Sequence, residues 1–122
     1  MARLKEIVID ADLPSALARF WAAALDGYAI MPYDAAEIAR LAALGLTPET
    51  DPSVMVVGPG PRLCFQLRPG PRPPRNRLHL DIEAADIEAE AARLMRLGAS
   101  LVRRDENYVV LNDPEGNNFC VC

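Results

Sequence analysis

The sequence predicts an α+β protein built from two βαβββ modules, whose strands form a curved mixed sheet around a cleft with the helices outside. Two kinds of periodicity and one repetition point to this. Asn76–Glu83 (NRLHLDIE) alternates, with Leu78, Leu80 and Ile82 on one side and Arg77, His79, Asp81 and Glu83 on the other; this is the pattern of a strand with one packed face. Leu17, Phe20, Trp21, Ala24 and Leu25 recur instead at helical spacing, as do Ile87, Ala91, Leu94, Met95 and Leu97. A plan of strand, helix, further strands and a Gly/Pro turn then occurs twice, which suggests a pseudo-symmetric pair rather than a solenoid.

Element by element, Lys5–Ala11 (KEIVIDA) is a short β-branched strand. Asp12-Leu13-Pro14-Ser15 opens a helix, with Asp12 and Ser15 both available as caps and the proline tolerated in the first turn. Gly27 closes that helix, and Tyr28–Tyr33 is a short strand. Asp34 with Glu37 has the spacing of a capping box, Ile38, Leu41 and Leu44 follow at helical spacing, and Gly45 is a left-handed terminator. Ser53–Val57 and Arg62–Leu67 form a hairpin across Gly58-Pro59-Gly60-Pro61. Pro69–Pro74 fits neither helix nor central strand and makes an extended connector.

The second half opens on the histidine strand. Asp86 starts its helix and Gly98 ends it, with Asp86, Glu88 and Glu90 at the start and Arg93 and Arg96 at the end, complementing the helix dipole. Ser100–Arg104, Tyr108–Leu111 and Asn118–Cys122 are strands, the last two joined by the turn Asn112–Asn117. Aligning Asp12 with Asp86 brings the two helices into register.

Composition excludes several classes of function. The 122 residues are 51% hydrophobic and 25% charged with a net charge of −4, as in a folded soluble domain. A pI near 4.9 argues against a nucleic-acid partner. Arg62, Arg68, Arg72, Arg75 and Arg77 are a local exception, set among prolines with little aromatic interleaving. No apolar run reaches the ~20 residues a bilayer requires, so no membrane partner and a cytoplasmic location are expected. Cys64, Cys120 and Cys122 are read as free thiols.

The βαβββ repeat, the segments "VIDADLPSALARFWAAALDGY" and "RLHLDIEAADIEAEAARLMRLGA" and the terminal "LNDPEGNNFCVC" resemble the vicinal oxygen chelate superfamily, in particular its small glyoxalase-like proteins of the glyoxalase/bleomycin-resistance/dioxygenase group. The resemblance spans the chain and implies one domain over 1–122, with module 1 at about 1–68, a linker at 69–76 and module 2 at about 77–122. It further implies a homodimer, since such proteins often pair modules across chains and an open sheet edge needs cover. The family holds a metal with two residues from each half. At those positions this chain has His79, Cys120, Gln66 and, on the first strand, Lys5 or with a one-residue slip Glu6. Lysine repels a cation and glutamine is a poor ligand, so the expectation is no cofactor, or a divalent metal on His79.

The cleft residues implied are His79, Gln66, Cys120, Trp21 and Tyr108, facing a small-molecule ligand. For His79 a hydrogen bond to Asp81 or a backbone carbonyl stands beside a role as ligand contact or proton shuttle. Cys120 and Cys122 share a strand face, as small buried groups or as cleft thiols. Three functions follow: a module that binds or sequesters a small organic ligand; a metal-dependent lyase, isomerase or dioxygenase using His79; and an interaction domain with a closed interior.

Overall fold

The computed structural model describes residues 1–122 and places eight strands and three helices in two compact units, Met1–Gly70 and Pro71–Cys122. Unit 1 contains β1 (Glu6–Ala11), α1 (Pro14–Ala24), β2 (Ala29–Ile30), α2 (Ala35–Ala43), β3 (Ser53–Val57) and β4 (Arg62–Leu67). Unit 2 contains β5 (Leu80–Ile82), α3 (Ile87–Leu97), β6 (Ser100–Arg104), β7 (Val109–Asn112) and β8 (Asn118–Val121).

Each unit forms its own four-stranded mixed sheet, one for each predicted module. The orders are β1-β4-β3-β2 and β5-β8-β7-β6. In both, the first strand pairs parallel with the last and the remaining pairs are antiparallel. The predicted duplication is therefore present at the level of hydrogen-bonded topology. Unit 1 differs by one insertion, helix α2 between its second and third strands.

In unit 1 the stripe Leu17, Ala18, Phe20, Trp21 and Ala24 of α1 is buried with Val54, Val56, Leu63 and Phe65 of the sheet. Phe20 and Trp21 meet edge to face at 5.3 Å, an arrangement aromatic quadrupoles favour. In unit 2 the core is Ala91 and Leu94 of α3 with Val109, Leu111, Phe119 and Val121. Both sheets thus bury one alternating set of side chains with their helix and leave the other set to the opposite face.

Several local features differ from the sequence reading. The N-cap of α1 falls on Leu13, with Pro14 in the first turn. Asp12 pairs with Arg68, and the Ser15 hydroxyl donates to the Glu49 carbonyl at 2.9 Å. Counted from observed starts, α1 therefore aligns with α3 as Leu13 with Asp86, one residue away from the predicted Asp12 register. Asp34 caps α2 by accepting from Glu37 N at 2.8 Å, but Glu37 turns to Arg40 and leaves the box half made. Asp86 caps α3 through Ala89 N, and Gly45 and Gly98 close their helices at φ +74° and +123°. Those angles favour glycine.

The histidine strand is shorter than its alternation predicts. Only Leu80–Ile82 pairs with β8, so His79 lies just before the strand and not in its middle. Leu78 is 63% exposed and outside the core. Leu97, predicted to point inward, is exposed in the last turn of α3, while Ile87 and Met95 are half-buried.

Candidate functional site

Alternation places Asp81 of β5, Cys120 and Asn118 of β8, Val110 and Asn112 of β7, and Arg103 of β6 on the face of sheet 2 opposite its helix-covered side. Register sets them in rows. Asp81 is the cross-strand neighbour of Cys120, Cys120 of Val110, and Val110 of Arg103. His79 joins this row from the chain entering β5.

Its imidazole Nε2 stands 3.1 Å from Cys120 Sγ and 3.2 Å from Asp81 Oδ1. Both approach the same ring nitrogen. An Asp–His–Cys relay would place carboxylate and thiol on opposite nitrogens, so that the ring could pass a proton between them. Here one nitrogen is shared, and a proton on it can serve only two competing acceptors. The three donor atoms lie within 4.8 Å of one another, so small side-chain adjustments would bring all three to the roughly 2.0–2.3 Å from one ion that zinc requires. Imidazole, carboxylate and thiolate are a chemically sound donor set for zinc, with a fourth position left for another ligand.

The thiol itself is not activated. Burial pushes the Cys120 thiol above its ordinary range, and the charges of Asp81 and Cys122 push the same way, against the opposing pull of Arg103. All three cysteines are free thiols, Cys64 buried, Cys120 half-buried and Cys122 exposed. Tyr108 is held at the β6–β7 hairpin, where Arg103 donates to its hydroxyl at 3.5 Å and lies 5.9 Å from its ring centroid.

Beside His79 unit 2 has a pocket of about 620 Å³, whose walls include Arg72, Arg75, Arg77, His79, Asn112 and Asn118. Its shape depends on the Asp113–Asn117 turn. Asp113, 3% exposed, accepts from the backbone N–H groups of Glu115 and Asn117, both at 2.9 Å, and from Asn117 Nδ2 at 2.7 Å. Arg72 donates to the carbonyls of Glu115 and Gly116 and to the side-chain oxygens of Asn117 and Asn76. The strap carrying residues 72–76 is thereby tied to the turn before β8. Gly116, at φ +82°, supplies the backbone that the turn requires.

The other residues singled out from the sequence lie in unit 1. Trp21, expected at the cleft, is 1% exposed in the helix–sheet core, because its stripe faces the sheet. Gln66 Nε2 donates to Asp10 Oδ1 at 3.2 Å. Lys5 precedes β1 and is exposed. Glu6 is the residue in step with His79 when the observed helix starts are aligned, and its carboxylate accepts from Arg62 Nε at 3.0 Å. The same counting sets Val8 in step with Asp81 and its partner Cys64 in step with Cys120. Cys64 is buried and 3.4 Å from Ser53 Oγ.

Of the predicted residues, the structure thus gathers His79 and Cys120 directly, with Tyr108 on the same sheet face. Asp81, Arg72, Arg75, Arg77, Asn112 and Asn118 are additions. Asp81 had a legible signal, since it sits two residues from His79 in an alternating stretch. The arginines stood out as a basic run, but their convergence on a pocket depends on the turn that anchors the strap.

The sequence pattern of the glyoxalase-like domain matches residues 6–122. The chain therefore belongs to the glyoxalase-like domain family. Among solved structures, one similar chain is a glyoxalase/bleomycin resistance protein/dioxygenase family enzyme from Burkholderia phytofirmans PsJN, at 13% identity and TM-score 0.70, covering 98% of this chain and 97% of that one. Another is the trypanothione-dependent glyoxalase I of Leishmania major, at 16% identity and TM-score 0.63 over 99% and 86%. A glyoxalase/bleomycin resistance protein/dioxygenase superfamily member from Sphaerobacter thermophilus DSM 20745 is 18% identical, with TM-score 0.62 over 99% and 96%. At these identities the likeness is one of fold. No curated protein sequence matches the chain significantly.

Proposed function

We propose that this protein binds a small organic molecule in the pocket of unit 2, with His79 on its wall, and holds it without transforming it. The observation that carries this reading is the pocket itself. A volume of about 620 Å³ lined by an imidazole, asparagine amides and guanidinium groups has the size of a small-molecule site, with a mainly polar wall that suits a polar ligand. Nothing on its wall is an activated nucleophile, and the nearby Cys120 thiol is pushed toward its protonated form. His79 can offer a bound molecule one hydrogen bond in either protonation state.

A second reading, a metal-dependent lyase, isomerase or dioxygenase-type enzyme, is favoured by one observation: the convergence of His79, Asp81 and Cys120. Those three side chains would hold a divalent cation. Such an ion, when bound, supplies Lewis-acid polarisation of an oxygen on the ligand. His79 would then belong to both the cation site and the pocket wall. Gln66 and Glu6 are occupied by Asp10 and Arg62, respectively.

Elemental analysis of the purified protein, paired with a thermal-shift screen against small metabolites, separates the two readings. A metal-free protein whose melting temperature rises with a ligand supports binding alone. One equivalent of metal, lost in both His79→Ala and Cys120→Ser, supports the enzyme. With cobalt as the added ion, loss of the thiolate-to-cobalt charge-transfer band in Cys120→Ser would identify the sulfur ligand independently of any activity.

A further inference from the structure

We infer that the ligand of the unit 2 pocket carries a carboxylate or phosphate group, and that Arg75 and Arg77 capture it. This deepens the binding reading above and rests on it.

Charge is the first argument. The chain has 17 acids against 13 lysines and arginines, yet the pocket is lined by Arg72, Arg75 and Arg77 and by no carboxylate. The remaining polar lining, Asn76, Asn112, Asn118 and His79, has neutral amides or an imidazole. A concave surface with one sign of charge concentrates ligands of the opposite sign, even on a protein whose net charge repels them.

The second argument is which donors are still free. Arg72 is committed: it gives its N–H groups to Glu115, Gly116, Asn117 and Asn76. Arg19, Arg40, Arg62, Arg68, Arg93 and Arg104 each pair with a carboxylate. Arg75 and Arg77 have no such partner and stand at the pocket with their forks unspent. A guanidinium offers two parallel N–H groups that match a carboxylate or phosphate edge, which makes it the side chain best suited to this task.

Third, the segment bearing them is restrained before any ligand arrives. Pro71, Pro73 and Pro74 limit its backbone, and the Arg72 and Asn76 hydrogen bonds fasten it to the Asp113–Asn117 turn. Ordering the two arginines on binding therefore costs less than it would on a free loop.

Calorimetry on the full-length protein tests this with matched probes: benzoate against benzamide, succinate against succinamide, and inorganic phosphate and pyrophosphate as the phosphate arm. The expected result is at least one anion binding about tenfold or more tighter than its neutral counterpart. That affinity should weaken with added salt, and Arg75→Ala/Arg77→Ala should remove about tenfold or more of it. Both arginines are exposed, so the double variant should retain its circular dichroism and melting temperature. Arg77→Glu provides a second variant and should abolish anion binding. Amides binding as tightly as acids would overturn the inference while leaving the binding reading intact. Acid affinity unchanged in both variants would overturn it as well. If no acid, phosphate or amide binds, the binding reading fails and this inference with it.

Discussion

At the scale of single residues, the informative fact is that two acceptors share His79 Nε2. The neighbours of Cys120 also make a testable statement about its reactivity. Burial and the Asp81 charge both raise the thiol, so Cys120 should react slowly with iodoacetamide at pH 8. Exposed Cys122 should be alkylated first, and buried Cys64 only on unfolding. Asp81→Asn removes one raising influence and should speed Cys120 alkylation several-fold at fixed pH, as read by peptide mass spectrometry. An unchanged rate would mean that Asp81 does not act on this thiol. Of this cluster, the sequence made His79 and Cys120 legible through their place in a recurring pattern. Asp81 was legible as a hydrogen-bond neighbour of His79, but not as a neighbour of Cys120, because alternation tells which face a residue takes and not what else reaches it.

At the scale of elements, two turns do the positioning. The first is Gly58–Pro61 between β3 and β4. A Cβ at Gly58 would stand 2.5 Å from Tyr28 Cγ, and one at Gly60 would stand 2.6 Å from the Tyr28 hydroxyl, which donates to Pro61 O at 2.9 Å. The glycines are therefore there to let an aromatic ring lie over the turn. Gly58→Ala should destabilise by about 1–3 kcal/mol, the usual range for overpacking. Urea denaturation would measure this, and Tyr28→Ala should relieve much of the added loss in the double variant. From the sequence the Gly-Pro run reads as a turn; the ring across it comes from elsewhere in the chain.

The second is the Asp113–Asn117 turn before β8. Asp113→Ala would strand three donors in a partly buried setting, and a loss of roughly 1–3 kcal/mol is expected from unsatisfied polar groups. Equilibrium unfolding checks the magnitude. Asp113→Asn, which keeps an acceptor oxygen, should recover part of it. Because the same turn anchors Arg72, limited proteolysis of Asp113→Ala should also show earlier cleavage near residues 72–77 than in the parent protein.

For the whole molecule, titration sets a pH window for stability. Burial, the hydrogen bond to Asp51 at 2.8 Å and that residue's charge hold the Tyr33 hydroxyl well above the ordinary tyrosine range. The folded state keeps this proton longer than the unfolded chain does. Its contribution is thus complete below about pH 10, where free tyrosine titrates, and is lost as pH rises beyond that. Glu90 behaves in the opposite sense: its hydrogen bond to Arg93 holds the carboxyl below its usual range. That contribution is present above about pH 4.5 and lost on acidification. Thermal melts across pH should show a plateau between these limits. Tyr33→Phe should be less stable at neutral pH, having lost the bond to Asp51, yet decline less steeply above pH 10. An alkaline slope unchanged by the substitution would show that another group controls that limb.

Period-two and period-3.6 patterning, with capping acids and terminating glycines, determined the elements from the chain alone. Those signals are local: they report how consecutive side chains share a face. They yielded the hairpin β3–β4 with its bounds, all three helices and the duplicated plan. Tertiary structure decided what stands opposite what. It began the histidine strand's pairing only after His79, placed Trp21 in the core, brought Asp81 and Cys120 onto one imidazole nitrogen, and bound the proline strap so that its arginines face a pocket. These outcomes depend on contacts between residues some forty positions apart, such as His79 with Cys120 and Arg72 with Glu115. Sheet register and turn closure create such contacts, and no short-range periodicity encodes them.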